Sequence, residues 1–272
     1  MSEMIKIAAC ASVGNSRENH EDNFIISKGV FLSKEQVDKL SAERTLITAE
    51  QTHSPQQPLL LAVSDGMGGH ACGEEASLLT VNYLSDCYDE IISSSWQEDE
   101  ALTLHIANIN KVVCDAAKAD NSYFGMGATL CGVIIKDEKL TAFNVGDSRL
   151  YRYYDGILEQ LTTDHTEGQR LLNMNLLTQE QEKNFPRRKL LHRYIGYDGN
   201  LAADISSCGN IESGSMLMIC TDGLSDVLDS SEIIEILNSD ITLCEQAERL
   251  VEKAQSKNAG YGDNITVVLV GF

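Results

Sequence analysis

Apolar residues occur along the chain in runs of strand length that end abruptly at acidic turns. Residues 59–63 are all apolar, and one serine later the chain reaches Asp65 and a turn with three glycines in four positions. Residues 216–220 repeat the pattern, because they lead through one threonine to the pair Asp222-Gly223. Strands that are apolar at nearly every position are typical of a sheet covered on both faces. The pattern therefore predicts two buried strands that each end at an aspartate.

Apolar residues at spacings of three and four predict helices after each of these strands. Residues 74–91 and 102–116 each carry such a pattern, and residues 231–237 and 243–254 carry two more. Two consecutive amphipathic helices indicate a helical layer that lies on an apolar surface. We therefore expect paired helices packed over the predicted strands.

The stretch between the two groups of helices has strand character interrupted by turns. The interruptions fall at residues 136–139, at Gly146-Asp147-Ser148 and at Asp155-Gly156. An Asp-Gly pair between two strands is a signal for a two-residue hairpin. The succession predicts an antiparallel meander from residue 129 to residue 161.

Two polar segments interrupt the regular pattern. Residues 28–58 are predicted to be a polar insertion, with a short helix that buries Val37 and Leu40 and a mobile loop from Thr48 onwards. A tolerated surface insertion is the preferred interpretation, and a regulatory or docking element is the alternative. Residues 162–191 end in the basic cluster 187–189, which is either a solvated loop or an aid to binding an anionic substrate. With no linker visible, we expect residues 1–272 to form a single domain.

The charge balance restricts the class of partner. The chain has 41 acidic and 21 basic residues, which gives a formal net charge of −20. Nucleic acid and anionic membrane surfaces are bound mainly through Lys and Arg, so neither is an expected partner. The same excess of carboxylates makes any acidic cluster unfavourable unless cations neutralise it.

The cysteines indicate a reducing environment. None of the eight cysteines has the C-x-x-C spacing of a zinc or redox site. Several, Cys87 among them, lie in apolar runs where a free thiol acts as a small hydrophobe. The first residues lack the basic and apolar blocks of a signal peptide, and no apolar run approaches the length of about 18 residues that a membrane helix needs. The expected location is cytoplasmic.

Further acidic residues stand at the ends of strand-like runs. Asp147 follows one such run and Asp263 precedes the last one, while Glu21-Asp22 lies between the first two predicted strands with Arg17 just before it. If the strand ends lie side by side, one pocket contains Asp65, Asp147, Asp222 and Asp263, with Glu21 and Asp22 beside them.

Such a cluster would be strongly destabilising unless divalent cations compensated its charge. The candidate ligands are all oxygens, with no cysteine or histidine at ligand spacing, and this selects Mg²⁺ or Mn²⁺ over zinc. The pocket suits two metals about 3.5–4 Å apart, with a water between them that attacks a phosphoryl group in line. Arg17 could bind the phosphate oxygens. The residues alone thus predict metal-dependent hydrolysis of a phosphate ester.

Six motifs then occur in one order along nearly the whole chain. They are R-x-x-x-E-D at residues 17–22, D-G-M-G-G at 65–69, G-M-G-A-T at 125–129, G-D-S-R at 146–149, D-G-L-S-D at 222–226 and G-D-N at 262–264. The ordered set resembles the metal-dependent serine/threonine protein phosphatases of type 2C, the PPM family, and especially their bacterial members. The resemblance implies an α+β fold, an α-β-β-α sandwich of two packed antiparallel sheets flanked by helix pairs.

The resemblance also implies a set of metal ligands. Asp65 would bridge two core ions, Mn²⁺ or Mg²⁺, and the carbonyl of Gly66 would bind one of them. Asp222 and Asp263 would hold the other ion. In the attack on phosphorus, the nucleophile would be the water that bridges the two ions.

Other matched positions take supporting roles by the same resemblance. Glu21 or Asp22 would serve the Gly66 side, directly or through water. Asp147 matches a position that helps to hold a third, weaker metal in some members. Arg17 matches the phosphate-binding arginine, and residues 162–191 correspond to the flap beside the site.

The chain departs from the family pattern at two positions, Met67 and His20, although bacterial members resemble it in having D-G-M-G-G-H. Many eukaryotic members have a histidine directly after Asp-Gly, thought to be the general acid, and here Met67 stands there. His70 is then the nearest candidate acid, although a histidine after a glycine turn is as often a structural cap, and metal-bound water could donate the proton instead. His20 replaces the usual asparagine before the acidic pair, which leaves the carboxylates in place.

The implied activity is hydrolysis of phosphoserine and phosphothreonine on proteins that a cognate kinase phosphorylates. One alternative is a catalytically weak relative that binds a kinase or a phosphoprotein as a regulator, and another is a phosphatase for small phosphate esters. Loss of a core ligand would favour the regulator, but Asp65, Asp222 and Asp263 are all retained. The order of the motifs favours the protein phosphatase.

Overall fold

Strands and helices follow one another along the chain in an order that builds two sheets. The computed structural model describes residues 4–43, 46–68, 72–93, 99–257 and 262–272. The strands are β1 (Ile5–Ser12), β2 (Asp22–Ile26), β3 (Val30–Phe31), β4 (Ile47–His53), β5 (Leu59–Met67), β6 (Gly127–Ala128), β7 (Leu130–Lys136), β8 (Lys139–Val145), β9 (Arg149–Tyr154), β10 (Ile157–Gln160), β11 (Asp204–Asn210), β12 (Met216–Cys220) and β13 (Ile265–Gly271). The helices are α1 (Lys34–Glu43), α2 (Gly73–Asp86), α3 (Tyr88–Ser93), α4 (Asp99–Ala119), α5 (Glu167–Asn173), α6 (Gln179–Lys183), α7 (Asp222–Ser225), α8 (Ser230–Leu237) and α9 (Leu243–Lys257).

Every strand pairing within the two sheets is antiparallel. One sheet has the order β10-β9-β12-β13-β1-β4, and the other has the order β11-β8-β7-β5-β2-β3, with β6 added beside the end of β5. The central strands β5 and β13 are buried at almost every position. This is the burial that their continuous apolar sequences predict.

Three apolar layers hold the sandwich together. The inner faces of both sheets pack on each other through residues such as Ile7, Leu61 and Val268. Helices α2, α3 and α4 cover the outer face of the second sheet, where Ile109 is fully buried. Helices α7, α8 and α9 cover the outer face of the first sheet, where Leu250 is fully buried. The predicted α-β-β-α architecture is confirmed, and no helix in the described ranges is both long and apolar enough to cross a bilayer.

The predicted mobile loop from Thr48 onwards is wrong for its first residues. Strand β4 pairs with β1 along its length, from Ile47 opposite Ala11 to His53 opposite Ile5. Its residues alternate between half-buried and exposed, as expected for an edge strand with one face in water. The polar alternation in this strand hides the strand signal. The short helix predicted before it is confirmed as α1, which buries Val37 and Leu40.

The predicted meander is divided between the two sheets. Strands β7 and β8 pair in one sheet, while β9 and β10 pair in the other through the hairpin turn at Asp155-Gly156. The chain changes sheets at the break around Asp147, between β8 and β9. A turn that leaves one sheet places Asp147 where the two sheets approach each other.

Gly132 shows how closely the second sheet packs. It lies in β7 between Ala62 of β5 and Phe143 of β8. A Cβ at this position would lie 2.3 Å from Cζ of Phe143 and 2.4 Å from the carbonyl oxygen of Leu61. The fully buried Phe143 ring occupies the space that a side chain would need.

Gly132→Ala is expected to lower the free energy of unfolding by about 1–3 kcal/mol, the usual range for overpacking a filled core. Gly271→Ala is the matched strand control, because nothing lies within 4 Å of its added Cβ. Urea denaturation of both variants measures the difference. Equal stability of the two variants would contradict the packing described for Phe143.

Candidate metal centre

The predicted acidic residues lie at one end of the sandwich. Asp22 begins β2 and is the cross-strand neighbour of Asp65 in β5. Asp222 begins α7 just after β12, and Asp263 stands just before β13, the partner of β12. Asp147 stands in the turn where the chain changes sheets. One open cavity of about 510 Å³ is lined by Glu21, Asp65, Asp147, Asp222 and Asp263.

A hydrogen bond between the two sheets fixes the position of Asp22. The hydroxyl of Thr221, at the end of β12, donates to Oδ2 of Asp22 at 2.8 Å. The same hydroxyl oxygen accepts the backbone N–H of Thr266 at 3.0 Å. Thr221, Thr266 and Asp22 are all buried. One hydroxyl group, which both donates and accepts a hydrogen bond, therefore joins the two sheets at the acidic end.

Thr129 positions Asp65. Its hydroxyl oxygen accepts the backbone N–H of Asp65 at 2.9 Å, and its own N–H donates to the carbonyl of Asp65 at 2.8 Å. The hydroxyl also lies 2.7 Å from that of Ser148, which follows Asp147. The last residue of the G-M-G-A-T motif thus connects the Asp65 strand to the Asp147 turn.

Asn264 positions the loop between β1 and β2, which carries Glu21. Its side-chain NH₂ donates to the carbonyls of Val13 and Asn19, each at 3.0 Å, and its Oδ1 accepts the backbone N–H of Glu21 at 2.8 Å. All three bonds bring the loop against the residue that follows Asp263. The asparagine of the G-D-N motif is therefore a positioning residue.

Gly66 allows the chain to approach the start of α2. Its N–H donates to the carbonyl of Glu21 at 3.1 Å. A Cβ on Gly66 would lie 2.0 Å from the carbonyl oxygen of Gly73 and 2.5 Å from that of Glu21. This close contact of backbones requires a glycine directly after Asp65.

The electrostatic environment of the cavity opposes negative charge. Burial raises the pKa of Asp65 well above its usual range, and the charge of Asp22 raises it further. Burial, followed by the charge of Asp226, raises the pKa of Asp222 to about 6. Burial and the charge of Asp222 raise the pKa of Asp147 to about 8. The neighbouring negative charges, unlike the burial, attract cations to the cavity.

The donor set fits hard divalent cations. Asp22 and Asp222 each keep a buried carboxylate oxygen, Oδ1, without a hydrogen-bond partner among the described residues. Such oxygens are costly to bury unless a cation or a donor satisfies them. Mg²⁺ and Mn²⁺ prefer such carboxylate oxygens and usually keep several of their own waters when they bind.

Two basic side chains stand at the rim of the cavity. Nη2 of Arg17 donates to Oδ2 of Asp263 at 2.8 Å, and Nη1 lies 4.0 Å from Oε2 of Glu21. The Arg17 side chain is half-exposed, so its guanidinium contacts both the solvent and the carboxylates of the cavity. Lys189 also lines the cavity and forms an ion pair with Asp226. Lys189 is therefore the member of the basic cluster whose position at the cavity suits an anionic substrate.

The segment after Thr162 is anchored to the metal-site turns. Arg149 binds both carboxylate oxygens of Asp164, at 2.7–3.1 Å. Nδ1 of His165 accepts the backbone N–H of Gly146 at 3.1 Å, so Nε2 carries the proton and donates to Asp204 at 3.1 Å. Burial lowers the pKa of His165, which agrees with a neutral ring. These bonds hold the start of the segment against the turn that carries Asp147.

Most of the predicted site residues are thus brought together, but one lies outside the described residues. That residue is His70, and its role stays a prediction. Met67 lines the cavity at the position where many eukaryotic members of the resembled family have histidine. Sequence reasoning missed the positioning roles of Thr129, Thr221 and Asn264. Thr129 ends the G-M-G-A-T motif and Asn264 ends the G-D-N motif, so their places in these motifs could have indicated a role.

Thr129→Val is expected to lower the free energy of unfolding by about 1–3 kcal/mol, because the buried N–H of Asp65 loses its acceptor. Thr129→Ser keeps the hydroxyl and should restore most of that loss. Chemical denaturation of the two variants compares them. If the valine variant is as stable as the natural chain, the hydroxyl of Thr129 does not make the contribution assigned to it here.

Comparison with known proteins identifies the family. Residues 48–257 match the family model described as protein phosphatase 2C. The serine/threonine phosphatase stp of Listeria monocytogenes is 36% identical over 216 residues, which cover 79% of this chain and 84% of that protein. The solved serine/threonine phosphatase of S. agalactiae gives a TM-score of 0.81 at 25% identity, over 98% of this chain and 99% of that chain. The catalytic domain of the phosphatase PstP, solved with two manganese ions, gives 0.73 at 27% identity over 98% of each chain. The chain therefore belongs to the protein phosphatase 2C family, as a bacterial-type PPM serine/threonine protein phosphatase.

Proposed function

We propose that this chain hydrolyses phosphoserine and phosphothreonine esters on proteins, using two divalent cations, Mn²⁺ or Mg²⁺. The observation that carries the proposal is the convergence of Asp65, Asp222 and Asp263 on one cavity with Arg17 at its rim. All the donors are hard oxygens, the ligands that these ions prefer. The relative PstP was solved with two manganese ions, and this supports two metal ions in the present chain.

The chain offers ligands for both ions. Asp65 would stand between them, with the carbonyl of Gly66 on one side and Asp222 with Asp263 on the other. Glu21 borders the cavity, and Asp22 has an unpartnered Oδ1 beside Asp65, so each can serve the Gly66 side directly or through water.

Asp147 would hold a third, weaker ion. It stands in the turn between the sheets and lines the same cavity as Asp65. The hydroxyl of Ser148 and the backbone of Gly146 fix that turn through Thr129 and His165.

Bound divalent cations of this kind polarise phosphoryl oxygens and lower the pKa of the water that attacks phosphorus. The chain's own contribution is to position and neutralise the substrate. The Arg17 guanidinium can bind two phosphate oxygens at once. Because the cavity is open and mostly acidic, a phosphate group gains affinity there only beside such a cation. Lys189, which also lines the cavity, adds a second positive charge.

The proton for the leaving alkoxide has no donor at the usual position. The thioether of Met67 carries no dissociable proton. We assign the role of general acid to His70, three residues further along the turn, with water as the alternative donor. Serine and threonine alkoxides are poor leaving groups, so either donor must act as the ester bond breaks.

The retained ligand set favours an active enzyme over a regulator that only binds phosphoproteins. An inactive relative has no need to keep buried, mutually repelling carboxylates, because they destabilise the fold without cations. The open cavity suits a phosphorylated side chain on a protein, and small phosphate esters share the same chemistry. The expected substrates are products of a cognate serine/threonine kinase. The net charge of −20 argues against nucleic acid, and the free cysteines favour the cytoplasm.

Release of phosphate from a phosphothreonine peptide is expected to require Mn²⁺ or Mg²⁺ and to stop on chelation. Asp65→Asn and Asp222→Asn should each lower kcat/KM by more than about 100-fold, because a metal supplies several kcal/mol of transition-state stabilisation. Asp155→Asn is the matched control, since Asp155 forms an Asp-Gly pair in a surface hairpin away from the cavity. Turnover that persists in the presence of a chelator, or in both site variants, would contradict the two-metal mechanism.

Arg17→Ala is expected to raise KM for a phosphopeptide by about 10-fold or more while Mn²⁺ affinity is kept, because a lost charge-assisted bond to phosphate is worth about 1.5–3 kcal/mol. Arg17→Lys should recover part of the effect, since it restores the charge without the paired donors. Steady-state kinetics and calorimetric titration with Mn²⁺ separate the two effects. A loss of Mn²⁺ affinity at unchanged KM would mean that Arg17 serves to hold Asp263 instead.

A further inference from the structure

A second group of metal-ligating side chains lies on the helical layer, outside the carboxylate cavity. Cys87, Glu90 and His105 each bring one ligand atom to the group, and these three atoms all lie within 4.8 Å of one another. Cys87 separates α2 from α3, Glu90 lies in α3 and His105 lies in α4. None of the three lines the cavity described above.

The backbone holds two of these ligands on one helical turn. The N–H of Cys87 donates to the carbonyl of Tyr83 at 3.0 Å and so ends α2, while its carbonyl accepts the N–H of Ile91 at 2.9 Å as α3 begins. Residues three apart face the same side of a helix, which places the Cys87 thiol beside the Glu90 carboxylate. The group therefore needs only one ligand from elsewhere, and α4 supplies it.

The third ligand has an outer partner of its own. The hydroxyl of Tyr83 lies 3.4 Å from Nδ1 of His105, and the two rings meet edge to face with centroids 6.1 Å apart. Tyr83 packs partly buried on the apolar layer under the helices, so these contacts fix the position of the His105 ring beside the group.

The donor types select a different metal from that of the carboxylate cavity. A thiolate and an imidazole with one carboxylate are ligands for Zn²⁺, whereas Mg²⁺ and Mn²⁺ prefer oxygen alone. One thiolate and one carboxylate together neutralise the double positive charge of the ion. With Zn–S near 2.3 Å and Zn–N near 2.0 Å, tetrahedral ligand atoms lie about 3.3–3.8 Å apart, a contraction that side-chain rotation can supply.

We propose that Cys87, Glu90 and His105 bind a zinc ion that clips the junction of α2 and α3 to α4, with water in the fourth position. Two of the ligands come from half-buried side chains and one from an exposed carboxylate, so the ion lies at the surface. The role is structural, because the site joins helices of one layer. It is independent of the phosphatase reaction proposed above.

The test is a Co²⁺ titration of the reduced, metal-free protein in the presence of excess Mg²⁺, which occupies the carboxylate cavity and competes poorly for a thiolate. One equivalent of Co²⁺ should produce thiolate-to-cobalt charge-transfer absorption and the strong visible bands of a tetrahedral site, and one equivalent of Zn²⁺ should abolish both. Cys87→Ser should lose the charge-transfer band. Cys244→Ser should keep it, since Cys244 is also a half-buried free thiol.

His105→Ala and Glu90→Ala should each weaken Co²⁺ binding by about 100-fold or more. Loss of a group that only hydrogen-bonds to a metal ligand already lowers metal affinity by about 10–100-fold. Circular dichroism and Mn²⁺-dependent phosphatase activity check that each variant is folded, and Cys87→Ser should retain that activity. Zn²⁺ should raise the melting temperature of the natural chain and leave that of Cys87→Ser unchanged. Absence of the charge-transfer band in the natural chain, its survival in Cys87→Ser, or unchanged affinity in His105→Ala or Glu90→Ala would each overturn the three-residue site.

Discussion

Mutual repulsion among buried carboxylates is the constraint on which the active end of this molecule depends. Asp22, Asp65 and Asp222 stand where burial and neighbouring charge both disfavour their ionised forms. Such an arrangement holds only because the three apolar layers stabilise the fold independently of it. A bound divalent cation removes this penalty, because its positive charge favours the ionised carboxylates.

Hydrogen bonds from neutral side chains keep the carboxylates in place. Thr129, Thr221 and Asn264 each satisfy groups from two different segments, and none of them adds charge. Their hydroxyl and amide groups leave other carboxylate oxygens open, so the site is formed by the fold and does not have to be assembled by the ions. A rigid set of donors of this kind lowers the cost of ordering when a ligand binds.

The sequence allowed prediction of the features that depend on local pattern. Continuous apolar runs identified β5 and β12 as doubly covered strands, and an aspartate one residue beyond each run identified the cavity. Strand β4 was missed because an edge strand exposes alternate polar residues and is stabilised by its neighbour β1. The division of the meander between two sheets depends on packing, which the periodicity of 129–161 does not record. The approach of His105 to Cys87 likewise depends on how α4 lies beside α2.

The hydrogen bond from Thr221 to Asp22 has a consequence for biosynthesis. Strand β13 lies between β12 and β1 in its sheet, and it is the last strand of the described chain to be translated. Until β13 is inserted, the hydroxyl of Thr221 lacks the backbone N–H of Thr266 that orients it. Asn264, the neighbour of Asp263, is then also not yet bound to the loop at Asn19. A nascent chain can therefore pack its second sheet early and still hold only part of the acidic cluster. The ability to remove phosphate from other proteins would arise only when β13 is in place and the two sheets close on each other.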